Sequence, residues 1–574
     1  MSALTVNLSQ STWNTIVALR TQNGASSLSD NVNLFFTAGH TFSTTHPFYS
    51  QANLIGSTGR LDFSDGGYEL YSGVVDLTPE SNNGQATATA IEEYSPNGFR
   101  LSFGRKLNFD YTVSNNGTSI SGSGGTITAA NLQTLLPTYS PSYNSQIGNV
   151  SVGLHGTLTA DAAGGFHGTV TSLDQHSQNF VNSGTISGNF SVSGNGTNIG
   201  MGLSSTALSG TMTSFLSNYL DGSQISLTGA SIAVTGATVV NERIFADAAN
   251  FAGDDAISIT LPSTVATPWT VASGSGNDTI SIRGGAAALS VDAGTGNDTI
   301  TLLDGGHKVD GGEGVDTVNL TGARKSFNIT KNGDAFVLTA SGQSSNVLQH
   351  VETIKFDDTT LSVKYNDVVQ ALYVGYFGRA ADLGGPGNFQ QQLINLNAPE
   401  SFSAVSAAYD TNAGIRELID SFSRSDESKA LYSGDTTTFV NSIYKNVFNR
   451  AADTEGLKYW VDAIDHLGLT KANASLSIMS AALLNTSVQG KLDAALVNNR
   501  TAVASDFSFA IDTSTEMQAY SGNAAAAAVR NMLAKVDATT DLVAFQATVQ
   551  STLSTLERDA GLVGIAHHDN ISFF

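Results

Sequence analysis

Cysteine is absent from the 574 residues, which excludes disulfides, thiolate metal sites and a cysteine nucleophile. Basic residues are scarce: 26 Lys and Arg stand against 49 Asp and Glu, a net charge of −23. That balance disfavours nucleic acid and anionic membranes as partners and suits divalent cations. The deficit is uneven, for no lysine or arginine occurs from Leu107 to Glu242. Apolar runs are short, and none approaches the ~18 residues that membrane insertion requires. The opening stretch, Met1 to Trp13, lacks the basic start and apolar run of a cleavable secretory signal. Also missing are HExxH, the GxSxG nucleophile elbow and the Walker loop, each the signature of a common enzyme class.

What the chain has in place of these is repetition. Gly274-Ser-Gly-Asn-Asp-Thr-Ile-Ser, Gly294-Thr-Gly-Asn-Asp-Thr-Ile-Thr and Gly311-Gly-Glu-Gly-Val-Asp-Thr-Val-Asn follow the pattern GGxGxDxUx, and Gly253-Asp-Asp-Ala-Ile-Ser is a degenerate copy before them. Two nonapeptides make one turn of a parallel β-roll, so the 20 and 18 residues separating Asp278, Asp298 and Asp316 stack these aspartates along one edge. Stacked carboxylates repel, and a hard divalent cation between turns removes the repulsion while taking further oxygens from backbone carbonyls. Glycine allows the tight curl at φ > 0. The expected metal set is therefore Asp255, Asp278, Asp298 and Asp316, with the surrounding turns formed by Gly274, Gly276, Asn277, Gly294, Gly296, Asn297, Gly312 and Gly314. The aliphatic residue two places after each aspartate (Ile257, Ile280, Ile300, Val318) should point inward. On the opposite edge Val291 and Val309 keep the inward position but the GxGxD signature is missing, so calcium is expected mainly on one edge.

This tract resembles the repeats-in-toxin (RTX) proteins exported by bacterial type I secretion. The resemblance implies calcium binding, an extracellular or cell-surface location and dealings with the type I machinery. The last residues, His567 to Phe574, resemble the uncleaved C-terminal signal of such substrates.

Composition divides the rest. Residues 1–240 alternate Ser, Thr, Gly and Asn with apolar residues in short segments, which reads as an all-β domain, a sandwich or irregular solenoid with a hydroxyl- and amide-rich surface. Around Asp161 to Gly165, His155-Gly-Thr-Leu-Thr and His167-Gly-Thr-Val-Thr read as a hairpin. The roll occupies 241–319. Segment 320–365 reads as a β cap over the open end of the roll, as such an edge requires. It resembles the VExIxFxDG-type segment that follows RTX repeats, with Asp357 and Asp358 as candidate ligands of another calcium that a solvated turn accounts for more simply.

Residues 366–560 read as an all-α domain, with 561–574 as the export signal. Here Tyr373-Val-Gly-Tyr-Phe-Gly-Arg-Ala-Ala-Asp382 recurs 71 residues later as Tyr444-Lys-Asn-Val-Phe-Asn-Arg-Ala-Ala-Asp453, with Gly385 matching Gly456 and Phe389 matching Trp460. The duplication resembles a domain of unknown function found in bacterial surface-layer and RTX proteins. Its arginine-aspartate pairs, Arg379 with Asp382 and Arg450 with Asp453, read as structural clamps at a helix end.

Catalytic constellations are sparse. His40 and His46, near tyrosines, are candidate haem or metal ligands, and Glu92 and Glu93 candidate glycosidase carboxylates, but a polar loop and a solvated strand edge account for them. The reading that follows is a secreted, calcium-stabilised structural or adhesive protein, self-assembling or binding surface glycans. A secreted polysaccharide-active enzyme and a haem or small-ligand carrier are the alternatives. A non-enzymatic role carries more weight.

Overall fold

The structure is a computed structural model. It describes residues 3–12 and 14–16 and most of 49–562, leaving out 54, 64–67, 77–82, 95–98, 115–116, 135–149, 161–164, 196–205, 236, 239–247, 264–267, 286–288 and 383. His40, His46 and the C-terminal segment from His567 lie outside the described residues, as does the turn from Asp161 to Gly164. The chain falls into two compact units, Met1–Thr295 and Gly296–Phe574, so the division passes through the repeat tract.

In the first unit, strands from Tyr49–Asn53 through Gln224–Thr228 pair antiparallel, each with the next in sequence. The expected hairpin is there: Val150–Ala160 pairs with Gly165–Ser177, placing Thr159 opposite His167. The strands run much longer than the sequence suggested, up to the 18 residues of Gly117–Thr134. Glycines and asparagines that read as turns sit inside strands, where register shifts at Gly104/Arg105 and Asn108/Phe109 absorb them as bulges. Others permit close approach: a Cβ on Gly210 would stand 2.1 Å from the Asn189 carbonyl oxygen.

The meander leads into parallel pairing. Ala256–Thr260 pairs parallel with Thr279–Arg283, so that Ile257 lies beside Ile280, and Trp269–Ala272 pairs parallel with Leu289–Asp292. The chain thus alternates between two parallel ladders. The N-terminal strand Ala3–Asn7 is inserted at the junction, antiparallel to Gln224–Thr228 and parallel to Ala256–Thr260. Leu4 and Val6 continue the apolar row begun by Ile257 and Ile259.

In the second unit the same alternation continues: Thr299–Leu302, Thr317–Leu320 and Thr353–Lys355 form one parallel ladder, and Lys308–Asp310 pairs parallel with Asn346–Gln349. The expected cap therefore adds a further rung to both ladders before closing with antiparallel pairs, Phe327–Asn332 with Ala335–Ala340 and Thr353–Lys355 with Thr360–Ser362. All the aliphatic residues expected to face inward are buried, Ile280, Ile300 and Val318 completely. Each such side chain contributes about 1.5–3 kcal/mol through lost water contact.

From Asn366 the second unit is helical. The 23-residue helix Val488–Ala510 packs on strand Phe327–Asn332, where Asp506 accepts the Lys331 amide, and its Phe509 meets Phe336 of the next strand edge-on at 5.8 Å. Among the described residues no helix is long and apolar enough to cross a membrane.

Candidate metal centre

The repeat aspartates are buried to an unusual degree for carboxylates, with Asp255, Asp278, Asp298 and Asp316 exposed by 3%, 1%, 1% and 0%. One bond recurs. In the first unit the Asp255 amide donates to Asp278 Oδ1 at 2.8 Å, and in the second the Asp298 amide donates to Asp316 Oδ1 at 2.8 Å. Each aspartate carbonyl then accepts the amide of the residue after the next carboxylate, Thr279 to Asp255 and Thr317 to Asp298, both at 2.8 Å. Within each unit the spacing of the repeats thus becomes a carboxylate rung.

Glycine makes the turns close enough. Gly274 and Gly294 have φ of 85° and 92°, and a Cβ on Gly294 would lie 1.9 Å from the Gly274 carbonyl oxygen. Gly276, Gly296, Gly312 and Gly314 also take positive φ, at 129°, 129°, 90° and 146°. The turn asparagines occupy the outer side, where Asn277 donates its amide to Asp254 and Asn297 Oδ1 accepts the Val315 amide, both at 2.8 Å.

The electrostatics of the ladder are unfavourable as they stand. Burial pushes Asp316 up to about 7, and the charges acting on it (Glu352, Asp298 and Asp310) are all of its own sign. Asp278 is raised as well, by burial first and then by Asp255 and Asp254 against the Ser273 hydroxyl. Asp316 Oδ2 is buried and has no hydrogen-bond partner. An orphaned carboxylate oxygen among carboxylates is what a hard cation relieves, so the residues fit calcium. Among the described residues no three His, Asp or Glu side chains converge on one point. A cation here would take backbone carbonyls alongside the aspartates.

The sequence reading missed Glu352. The Asp316 amide donates to Glu352 Oε2 at 2.7 Å, the bond that Asp316 itself accepts one rung earlier. The signal was present: Glu352 stands two places before the inward Ile354, as Asp316 stands before Val318. Asp357 and Asp358 accept the Gly322 and Arg324 amides at 2.8 and 2.9 Å, so they clamp a turn.

In the helical region the duplicated motif superposes chemically. Tyr373 meets Phe377 and Tyr444 meets Phe448, each pair at 5.1 Å, and Arg379 and Arg450 lie over those rings. Each first helix ends in a left-handed residue, Gly378 or Asn449. The expected arginine-aspartate pairs are the weaker contacts, at 3.4 Å for Arg379–Asp382 and 3.8 Å for Arg450–Asp453. Bidentate partners lie elsewhere: Glu427 takes Arg379 at 2.8 and 2.9 Å, and Asp493 takes Arg450 at 3.2 and 2.6 Å. Asp453 instead caps the helix Thr454–Asp465 through the Gly456 amide at 2.8 Å.

Glu92 and Glu93 fall in strand Asn83–Tyr94, on successive positions that face opposite sides of the sheet.

Residues 419–482 match the family described as Domain of unknown function (DUF4214), which takes in the second copy of the duplicated motif. No repeats-in-toxin family matches the glycine-aspartate tract. No curated protein matches the chain.

Proposed function

We propose that this chain is a secreted, calcium-stabilised structural or adhesive protein of a bacterial cell surface or matrix, in which the repeat tract is a calcium β-roll. The observation that carries the reading is the buried carboxylate rung that recurs in each unit, Asp278 on the Asp255 amide and Asp316 on the Asp298 amide, with an orphaned oxygen at Asp316. Calcium would supply the positive charge that this ladder lacks. The residues holding it would be Asp255, Asp278, Asp298 and Asp316, with carbonyls of the glycine turns. Their own work is to place one carboxylate per turn and to exclude water from it.

The role of the first unit follows from its surface chemistry. Hydroxyls and amides without lysine or arginine from Leu107 to Glu242 are surfaces that meet copies of themselves, or glycans, with little desolvation cost. Self-assembly into a layer, sheet or filament is the specific form of this proposal, with export through the C-terminus by type I machinery. Light scattering and electron microscopy of the full chain in millimolar calcium and in chelator test it. Calcium-dependent assembly is expected. Monomers at high protein and calcium concentrations would remove the assembly form and leave adhesion.

A further inference from the structure

The ladder does not stop where the glycine-aspartate repeats stop. We propose that Glu352 carries it one rung further and that Glu352, Asp316 and the His350 carbonyl form a terminal calcium site supplied by the cap. This inference rests on the calcium reading of the repeats and extends it to a residue outside them.

Three observations place the site. The Asp316 amide donates to Glu352 Oε2 at 2.7 Å, and the Asp316 carbonyl accepts the Thr353 amide at 3.0 Å, so Glu352 repeats the backbone bonds of an aspartate rung. Asp316 is fully buried, and its Oδ2 has no hydrogen-bond partner. That oxygen is aimed at a second one: a Cβ built on Gly311 would stand 2.7 Å from Asp316 Oδ2 and 2.1 Å from the His350 carbonyl oxygen, so both converge on one side of this glycine. His350 holds that carbonyl from a left-handed conformation, φ 47°, fixed by its Nδ1 contact with Asp310 at 2.6 Å. An unpartnered carboxylate oxygen and a carbonyl oxygen brought together are ligands for a hard cation.

The far side of Glu352 is closed differently. Lys364 acts on Glu352 as its favourable charge and is itself held by Glu400 at 3.0 Å. The protein's own ammonium therefore ends the column, and the terminal cation belongs on the Asp316 side. Lys364 also competes with that cation through simple repulsion.

Native mass spectrometry and calorimetric calcium titration of the full chain test the proposal with two variants of opposite sign. Glu352→Gln keeps an oxygen for the Asp316 amide and removes the charge; it should bind one calcium fewer than the natural chain while keeping the rest. Lys364→Gln should keep the full number and tighten the terminal ion several-fold. Equal stoichiometry and affinity in Glu352→Gln would overturn the terminal site while leaving the repeat sites standing, whereas a natural chain that binds no calcium would overturn both. If Glu352→Gln fails to fold, an unchanged calcium affinity in Lys364→Gln decides against the proposal.

Discussion

Two parts of this molecule repeat a buried charge, and they treat it in opposite ways. In the helical region each copy of the motif holds a partly buried arginine against aromatic rings and brings it a carboxylate, Glu427 for Arg379 and Asp493 for Arg450. In the repeat tract each turn buries a carboxylate and surrounds it with others, as Asp316 is surrounded by Glu352, Asp298 and Asp310. A buried charge without its counter-charge costs several kcal/mol, so the first arrangement is complete and the second is the one that the proposed calcium would complete. On the proposed calcium reading, the contrast separates contacts that are complete within the chain from contacts that a cation completes.

The largest expected effect tests the intrinsic side. Arg450→Ala leaves Asp493, a nearly buried carboxylate, without its bidentate partner, and should cost about 3 kcal/mol in urea unfolding. The loss should be the same in calcium and in chelator; a calcium-dependent loss would erase the distinction between the two regions.

The next effect tests the dependent side and changes sign. Asp316→Asn keeps an oxygen to accept the Asp298 amide and removes the buried charge. In chelator it should melt at or above the natural chain, because the repulsion is gone. In millimolar calcium it should melt several degrees below it, because a ligand is gone. A variant that melts lower under both conditions would show that the carboxylate serves packing alone.

Acidity gives a third way to sharpen the comparison. Asp316 is pushed up to about 7 from 3.8, so in chelator the folded chain holds a proton that the unfolded chain releases across that window. Stability then falls as pH rises from about 4 to about 7. Asp506, pushed up to about 7 by burial against the opposing pull of the Lys331 amide and Gln546, adds a slope of the same sign that calcium leaves untouched. Melting temperatures across this range should flatten in calcium and in Asp316→Asn, with the residue of the slope belonging to Asp506. The smallest effect belongs to the aromatic pair of the second copy: Tyr444→Phe removes the acceptor of the Trp460 indole N–H at 3.1 Å and should cost about 1 kcal/mol, independent of calcium.

Legibility in the sequence followed locality. The aspartate ladder was readable because an acid two places before an inward aliphatic fixes both the face and the rung within a few residues. Glu352 obeys the same rule but is a glutamate outside the glycine turns, so the glycine-aspartate pattern does not mark it. The duplicated helices were readable from 71-residue self-similarity, but their ion partners were not: Glu427 and Asp493 lie 48 and 43 residues beyond their arginines, at positions the duplication does not relate. The strand Ala3–Asn7 has five residues and a partner some 250 positions away, and no local pattern specifies such a register.

Thermal unfolding of the full chain, followed in millimolar calcium and then in excess chelator at pH 8, addresses the central claim most directly. A rise of many degrees in calcium, lost in Asp316→Asn and kept in Arg450→Ala, is the predicted result. Superimposable melting curves in calcium and chelator would contradict the account, for the buried carboxylates would then be stable without any cation.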